Sequence, residues 1–168
     1  LGCMEFSGRY PDNLHEEINN YSIVAGVVAR QQQFDIIHSH DWLTYPAGIH
    51  AKQISGKPLV IHCVKAFNEL IELKKKYRPQ MPWVVHGFRN NLHIACRLMQ
   101  ENIYFSLGER YQPDVLRHVP LECLLAETDE STQDIRMVIG RMAETKNVEV
   151  SFLCDRIDEN ARKIFFRQ

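Results

Sequence analysis

Apolar and polar positions divide the chain into alternating helical and extended stretches. From Leu14 to Gln32 apolar residues recur at helical spacing (Ile18, Tyr21, Ala25, Val28) with few breakers, which predicts a helix. Phe34 to His38 supplies a short β-type run. Ala47 to Ile54 predicts a second helix, entered through Pro46, a residue tolerated in a helix's first turn, and Ser55-Gly56-Lys57-Pro58 breaks it.

Leu59-Val60-Ile61-His62-Cys63 is then a continuous apolar run bounded by turn residues, the pattern of a strand covered on both faces. A helix from Lys65 to Tyr77 follows, with Lys74, Lys75 and Lys76 placed to complement the negative end of its dipole. The pattern continues as a strand over Trp83 to His86, a helix over Asn91 to Glu101, and strands over Ile103 to Leu107 and Cys123 to Ala126. Helices over Thr132 to Thr145 and Val150 to Phe166 close it.

Strands alternating with helices give an α/β fold: a five-stranded, mostly parallel sheet with right-handed crossovers, flanked by helices. Five strands are three too few for a closed eight-stranded barrel. The expected fold is therefore a partial (β/α)8 barrel or a Rossmann-like sheet. Free edges and uncovered apolar surface would then favour a homo-oligomer.

Composition narrows the function classes. With 168 residues, 45% hydrophobic and 24% charged, the chain can bury an ordinary core. Twenty basic against 21 acidic residues leave a formal charge of -1, so no global field draws it to nucleic acid or lipid. Its five cysteines (Cys3, Cys63, Cys96, Cys123, Cys154) form no C-x-x-C pair, which fits reduced thiols. Apolar runs fall well short of the roughly 20 residues of a membrane span, and no basic-then-apolar leader opens the sequence. A cytoplasmic, non-membrane protein is expected.

Polar residues able to bind metal fall at the carboxyl ends of the strands: His62, His86 and, after the last strand, Asp129. In a parallel α/β sheet these ends share one edge, so residues distant in sequence converge there. Imidazole nitrogen and carboxylate oxygen together suit a divalent cation. Taken singly, each histidine reads equally as a structural one, and Asp129 as a cap for the helix beginning near Ser131.

The local wording points further. Pro58 to His62, Val84-Val85-His86-Gly87-Phe88-Arg89-Asn90, Tyr104 to Gly108, Leu124-Leu125-Ala126-Glu127-Thr128-Asp129 and Glu159 to Phe166 resemble strands five to eight and the final helix of TatD-related metal-dependent hydrolases. The resemblance covers residues 57–168. It implies His62, His86 and Asp129 as metal ligands, Asp129 as the catalytic aspartate, and a divalent cofactor (Mg²⁺, Mn²⁺ or Zn²⁺). It also implies a phosphodiester substrate such as DNA, held by Arg89, Asn90 and Ser106.

The first segment, residues 1–56, resembles a different family. Phe6 to Tyr10, Phe34-Asp35-Ile36-Ile37-His38-Ser39-His40-Asp41-Trp42-Leu43-Thr44 and Ser55 to His62 are similar to the N-terminal domain of glycogen-synthase-type retaining glycosyltransferases. That resemblance implies His38, His40, Asp41 and Trp42 in an acceptor cleft. The chain thus reads as a chimera joined between Gly56 and His62, whose hydrolase half lacks its first four strands. Such a half would hold one ion weakly or none, leaving a weakly active or inactive enzyme, with a glycosyltransferase fragment or a silent remnant as alternatives. His38 and His40 also form a His-x-His pair at a strand end, which could join Asp129 at a metal.

Overall fold

A computed structural model describes residues 13–77 and 82–166. The expected wording at Phe6 to Tyr10, and Cys3, lie outside the described residues. Five strands, β1 (Ile37–His40), β2 (Leu59–His62), β3 (Trp83–His86), β4 (Ile103–Leu107) and β5 (Leu124–Ala126), form one sheet in the order β1-β2-β3-β4-β5. Every neighbouring pair is parallel. Sequential order without a reversal is the winding of a barrel; a Rossmann sheet reverses at a switch point. The fold is therefore an open arc of a (β/α) barrel.

The connecting helices are α1 (Leu14–Gln31), α2 (Tyr45–Ser55), α3 (Phe67–Tyr77), α4 (Leu92–Met99), α5 (Pro113–His118), α6 (Ile135–Lys146) and α7 (Val150–Phe165). Local chemistry sets their ends. Gly56, at φ +70, takes the left-handed position that ends α2. Asn91 and Asp134 cap α4 and α6 by accepting from Ile94 N and Arg136 N. Asp134 takes the capping role expected of Asp129, so α6 begins three residues later than the pattern suggests.

The strands alternate between two faces. Leu59, Ile61, Trp83, Val85, Ile103, Phe105, Leu107 and Leu124 point to the helical layer, and all are fully buried. They meet Tyr45 and Ile49 of α2, Leu70 and Ile71 of α3, Leu98 of α4, Leu116 of α5, Met142 of α6 and Leu153 of α7 in one continuous core. The opposite face carries Val60, Val84, Tyr104 and Leu125, covered in part by Ile164 and Phe165 of α7. In a closed barrel this face would line the interior. Asn160 anchors α7 there, its amide donating to Leu121 O (2.7 Å) and Leu124 O (2.9 Å).

Two further elements differ from the pattern. β1 begins at Ile37 because its ladder starts only where Ile37 N donates to Pro58 O (2.9 Å), just ahead of β2. The shift brings His40 into the strand alongside His38. α5 is a single short helix started by Pro113, too brief to leave a periodic signature. The four described cysteines are all free. Among the described residues no helix is long and apolar enough to cross a membrane.

Candidate metal centre

The register of the sheet builds the site. His40 pairs with His62, His62 with His86, His86 with Ser106, and Ser106 with Leu125, so one row crosses the inner face near the strands' carboxyl ends. His38 lies two residues before His40, on the same face.

The rings converge. His86 Nε2 lies 2.9 Å from His38 Nε2 and 3.2 Å from His62 Nδ1. Strands spaced about 4.8 Å apart place β1 and β3 about 10 Å from each other, so His38 and His86 meet by reaching across β2 on this face. His40 stacks obliquely on His38, with ring centroids 4.0 Å apart. On the other side of His86, its Nδ1 stands 3.8 Å from Glu127 Oε2. One ligand atom from each of His86, Glu127 and Asp129 lies within 4.8 Å of the others.

Electrostatics separate His38, His62 and His86. His38 is held down to about 4, first by loss of water and then by the neighbouring His40, His86 and His62. His62 is depressed by the same causes, burial first and His86 next. His86 is raised instead, chiefly by its interaction with the Glu127 carboxylate. The cluster therefore offers neutral rings, with available lone pairs, on either side of one more basic ring.

Asp129 sits beyond β5 in a left-handed conformation (φ 49) and is exposed at the mouth of the site. With His62, Gly87, Arg89, Asn90 and Asn91 it lines a cleft of about 880 Å³. Arg89 is exposed, and Asn90 Oδ1 accepts from Asn91 N (2.7 Å). Ser106 lies within β4, 7% exposed, on the floor of a smaller hollow that also touches His38, His86 and Asp129. Asp41 is turned away to accept from Trp42 N (2.7 Å), and Trp42 is 37% exposed.

The structure thus brings His38, His40, His62 and His86 together, with Asp129 beside His86. His62 joins the group through His86, and Asp129 approaches through the His86–Glu127 side. Sequence reasoning passed over Glu127, although its parity with inward-facing Leu125 marks it as a residue of the same face.

Comparisons with known proteins fit this architecture. The family model described as TatD related DNase matches residues 49–166, leaving β1 with His38 and His40 outside the match. The deoxyribonuclease Tat-D of Schizosaccharomyces pombe is 31% identical over 86 residues, covering 47% of this chain and 28% of that protein. The 3'-5' ssDNA/RNA exonuclease TatD of Pectobacterium atrosepticum is 29% identical over 134 residues, covering 64% of this chain and 52% of that protein. The chain therefore spans about half or less of the length of these curated relatives. A crystal structure of a TatD homologue from Escherichia coli superposes with a TM-score of 0.69 at 17% identity, over 88% of this chain and 70% of that one. A match across most of the chain, on a sheet wound as the fold requires, makes this chain a member of the TatD-related DNase family.

Proposed function

We propose that this chain carries a divalent-metal site serving phosphodiester hydrolysis, with single-stranded DNA as the substrate class. The observation behind this reading is the convergence of His38 Nε2 and His62 Nδ1 on His86 Nε2, at 2.9 and 3.2 Å. Nitrogens bound to one cation at about 2.0–2.1 Å stand roughly 2.9–3.4 Å apart, the spacing His86 already has to each of the other two rings. His38, His62 and His86 would be the nitrogen ligands and Asp129 the carboxylate, with His40 stacked behind His38. A bound Mg²⁺, Mn²⁺ or Zn²⁺ supplies Lewis acidity toward a phosphoryl oxygen and a nearby water.

The remaining roles belong to the chain itself. Asp129, exposed at the cleft mouth, orients the attacking water and accepts its proton. Arg89 offers a forked donor to the phosphate. The Asn90 amide nitrogen donates beside it, since its oxygen is engaged with Asn91 N. Ser106 closes the floor of the hollow. Two cations side by side repel strongly unless anions bridge them. With the Asp41 carboxylate turned to Trp42 N, one ion and slow turnover are expected.

In this reading the first segment, with its glycosyltransferase-like wording, contributes β1 and its histidines to the hydrolase sheet. β1 and β5 each have a single neighbour in the described sheet, so edge pairing between two copies belongs to the same proposal. The free cysteines fit a cytoplasmic setting.

The test is Mn²⁺-dependent release of nucleotides from single-stranded DNA by the intact chain and by Asp129→Ala. Release that the substitution abolishes supports the assignment. Undiminished release by the variant, or none by the parent chain, rejects it.

A further inference from the structure

We infer that Glu127 is a positioning residue for His86, fixing the ring tautomer that leaves Nε2 open toward His38 and His62. The inference deepens the metal-site reading, on which its consequence for affinity rests.

Glu127 is the first residue beyond β5, and its backbone N donates to Leu107 O (3.1 Å), extending the ladder with β4 by one rung. Its side chain then crosses the end of β4 to reach the end of β3. Oε1 accepts from Gly87 N at 2.6 Å, and Oε2 stands 3.8 Å from His86 Nδ1. One residue beyond β5 therefore ties the carboxyl ends of three strands together, β4 through its backbone N and β3 through its carboxylate.

Two glycines lie along its path. A Cβ on Gly108 would lie 3.5 Å from Glu127 Cγ, an ordinary van der Waals contact, so the side chain passes directly over that residue. Gly87 holds φ +63, which turns its N–H toward Oε1 and which side chains on an L-residue rarely permit.

An ionised carboxylate only accepts hydrogen bonds. At 3.8 Å, longer than a hydrogen bond, the carboxylate still favours the proton on the ring nitrogen facing it, which assigns the proton of a neutral His86 to Nδ1. Its lone pair is then on Nε2, the atom that two other imidazoles approach. The same pairing of a carboxylate with the far nitrogen of a metal-binding histidine fixes ring orientation and raises ligand basicity in metal sites generally. Direct ligation by Glu127 is the competing role, given its proximity to His86 and Asp129. Both of its oxygens are already directed elsewhere, one to a backbone N–H and one to the ring.

The decisive experiment reads the His86 tautomer by ¹⁵N NMR in metal-free protein, at alkaline pH where the ring is neutral. The parent chain is compared with Glu127→Gln, and Mn²⁺ affinity is measured by calorimetry on both. A glutamine can still accept from Gly87 N but presents an NH₂ to Nδ1, so it favours the opposite tautomer. The expected result is Nδ1–H in the parent chain, Nε2–H in the variant, and a loss of Mn²⁺ affinity of about 10- to 100-fold. A variant that loses affinity while His86 keeps Nδ1–H marks Glu127 as a direct ligand and overturns the inference. If Glu127→Gln does not fold, the parent chain decides alone, since Nε2–H there is fatal to it. A parent chain showing Nδ1–H but binding no Mn²⁺ would sink the metal-site reading and leave the tautomer assignment standing.

Discussion

His38 and His86 stand on strands that are not neighbours, yet their Nε2 atoms are 2.9 Å apart. The contact spans β2 and joins a residue outside the family-matched region to one inside it. If that junction is where a cation sits, His38→Ala should weaken Mn²⁺ binding by more than about 100-fold, as loss of a direct ligand must exceed the effect of a supporting residue. His38 is exposed, so the unfolding midpoint of the metal-free protein should barely move. Calorimetry and thermal melts on the same samples check both halves of this expectation, and unchanged affinity removes His38 from the ligand set.

Metal-free stability should depend on pH through the same ring. His38 titrates near 6.5 when unfolded and near 4 when folded, so between those values the unfolded chain holds the extra proton. Stability from this source is complete above 6.5 and is lost as the pH falls toward 4. Solvent screening of this accessible ring keeps the loss modest. His86 works in the opposite sense, with its raised value: its contribution is complete below 6.5 and fades as the pH rises through the folded value. Urea midpoints for His38→Gln should show a flatter acid limb than the parent chain, and parallel limbs would contradict the assignment.

At the other end of the sheet, Lys74 is 5% exposed and its Nζ has no hydrogen-bond partner among the described residues, resting 4.9 Å over the Trp83 ring. Burial pushes its amine down to about 8. Below that value the folded protein carries a buried charge it disfavours; above the unfolded value of 10.5 both states are neutral and the penalty vanishes. Lys74→Met should therefore stabilise the protein at neutral pH by about 1–3 kcal/mol, less the cation–π contact, and the gain should shrink as the pH rises from about 8. Equal midpoints at neutral pH would show the amine to be satisfied after all.

Leu98 is fully buried within the helical layer of the core. Leu98→Ala should cost about 2–5 kcal/mol of stability. Denaturant melts measure the loss directly, and a cost under about 1 kcal/mol would mean that α4 is not packed as described.

Most of the fold was legible because parallel strands buried on both faces leave unbroken apolar runs, as Leu59 to Ile61 and Trp83 to Val85 do. The boundaries of β1 were not legible. They depend on where the ladder with β2 begins, at Pro58 O, which no local pattern announces. α5 escaped because six residues are too few to show a helical period. The strand-end histidines were visible individually. Their meeting depended on register and on side chains reaching across β2, which are tertiary properties. Glu127 was hidden by its neighbour: Asp129 reads as the strand-end carboxylate, although β5 stops at Ala126, as the pattern predicts, and Glu127 comes first beyond it.

The clasp formed by Asn160 has a consequence for the far end of β5. Its amide grips the carbonyls of Leu121 and Leu124, at the foot of the strand whose head leads into Glu127 and Asp129. A premature stop that deletes only the last helix would leave every proposed ligand in the polypeptide and still disarm the centre, by releasing the strand that carries its acids.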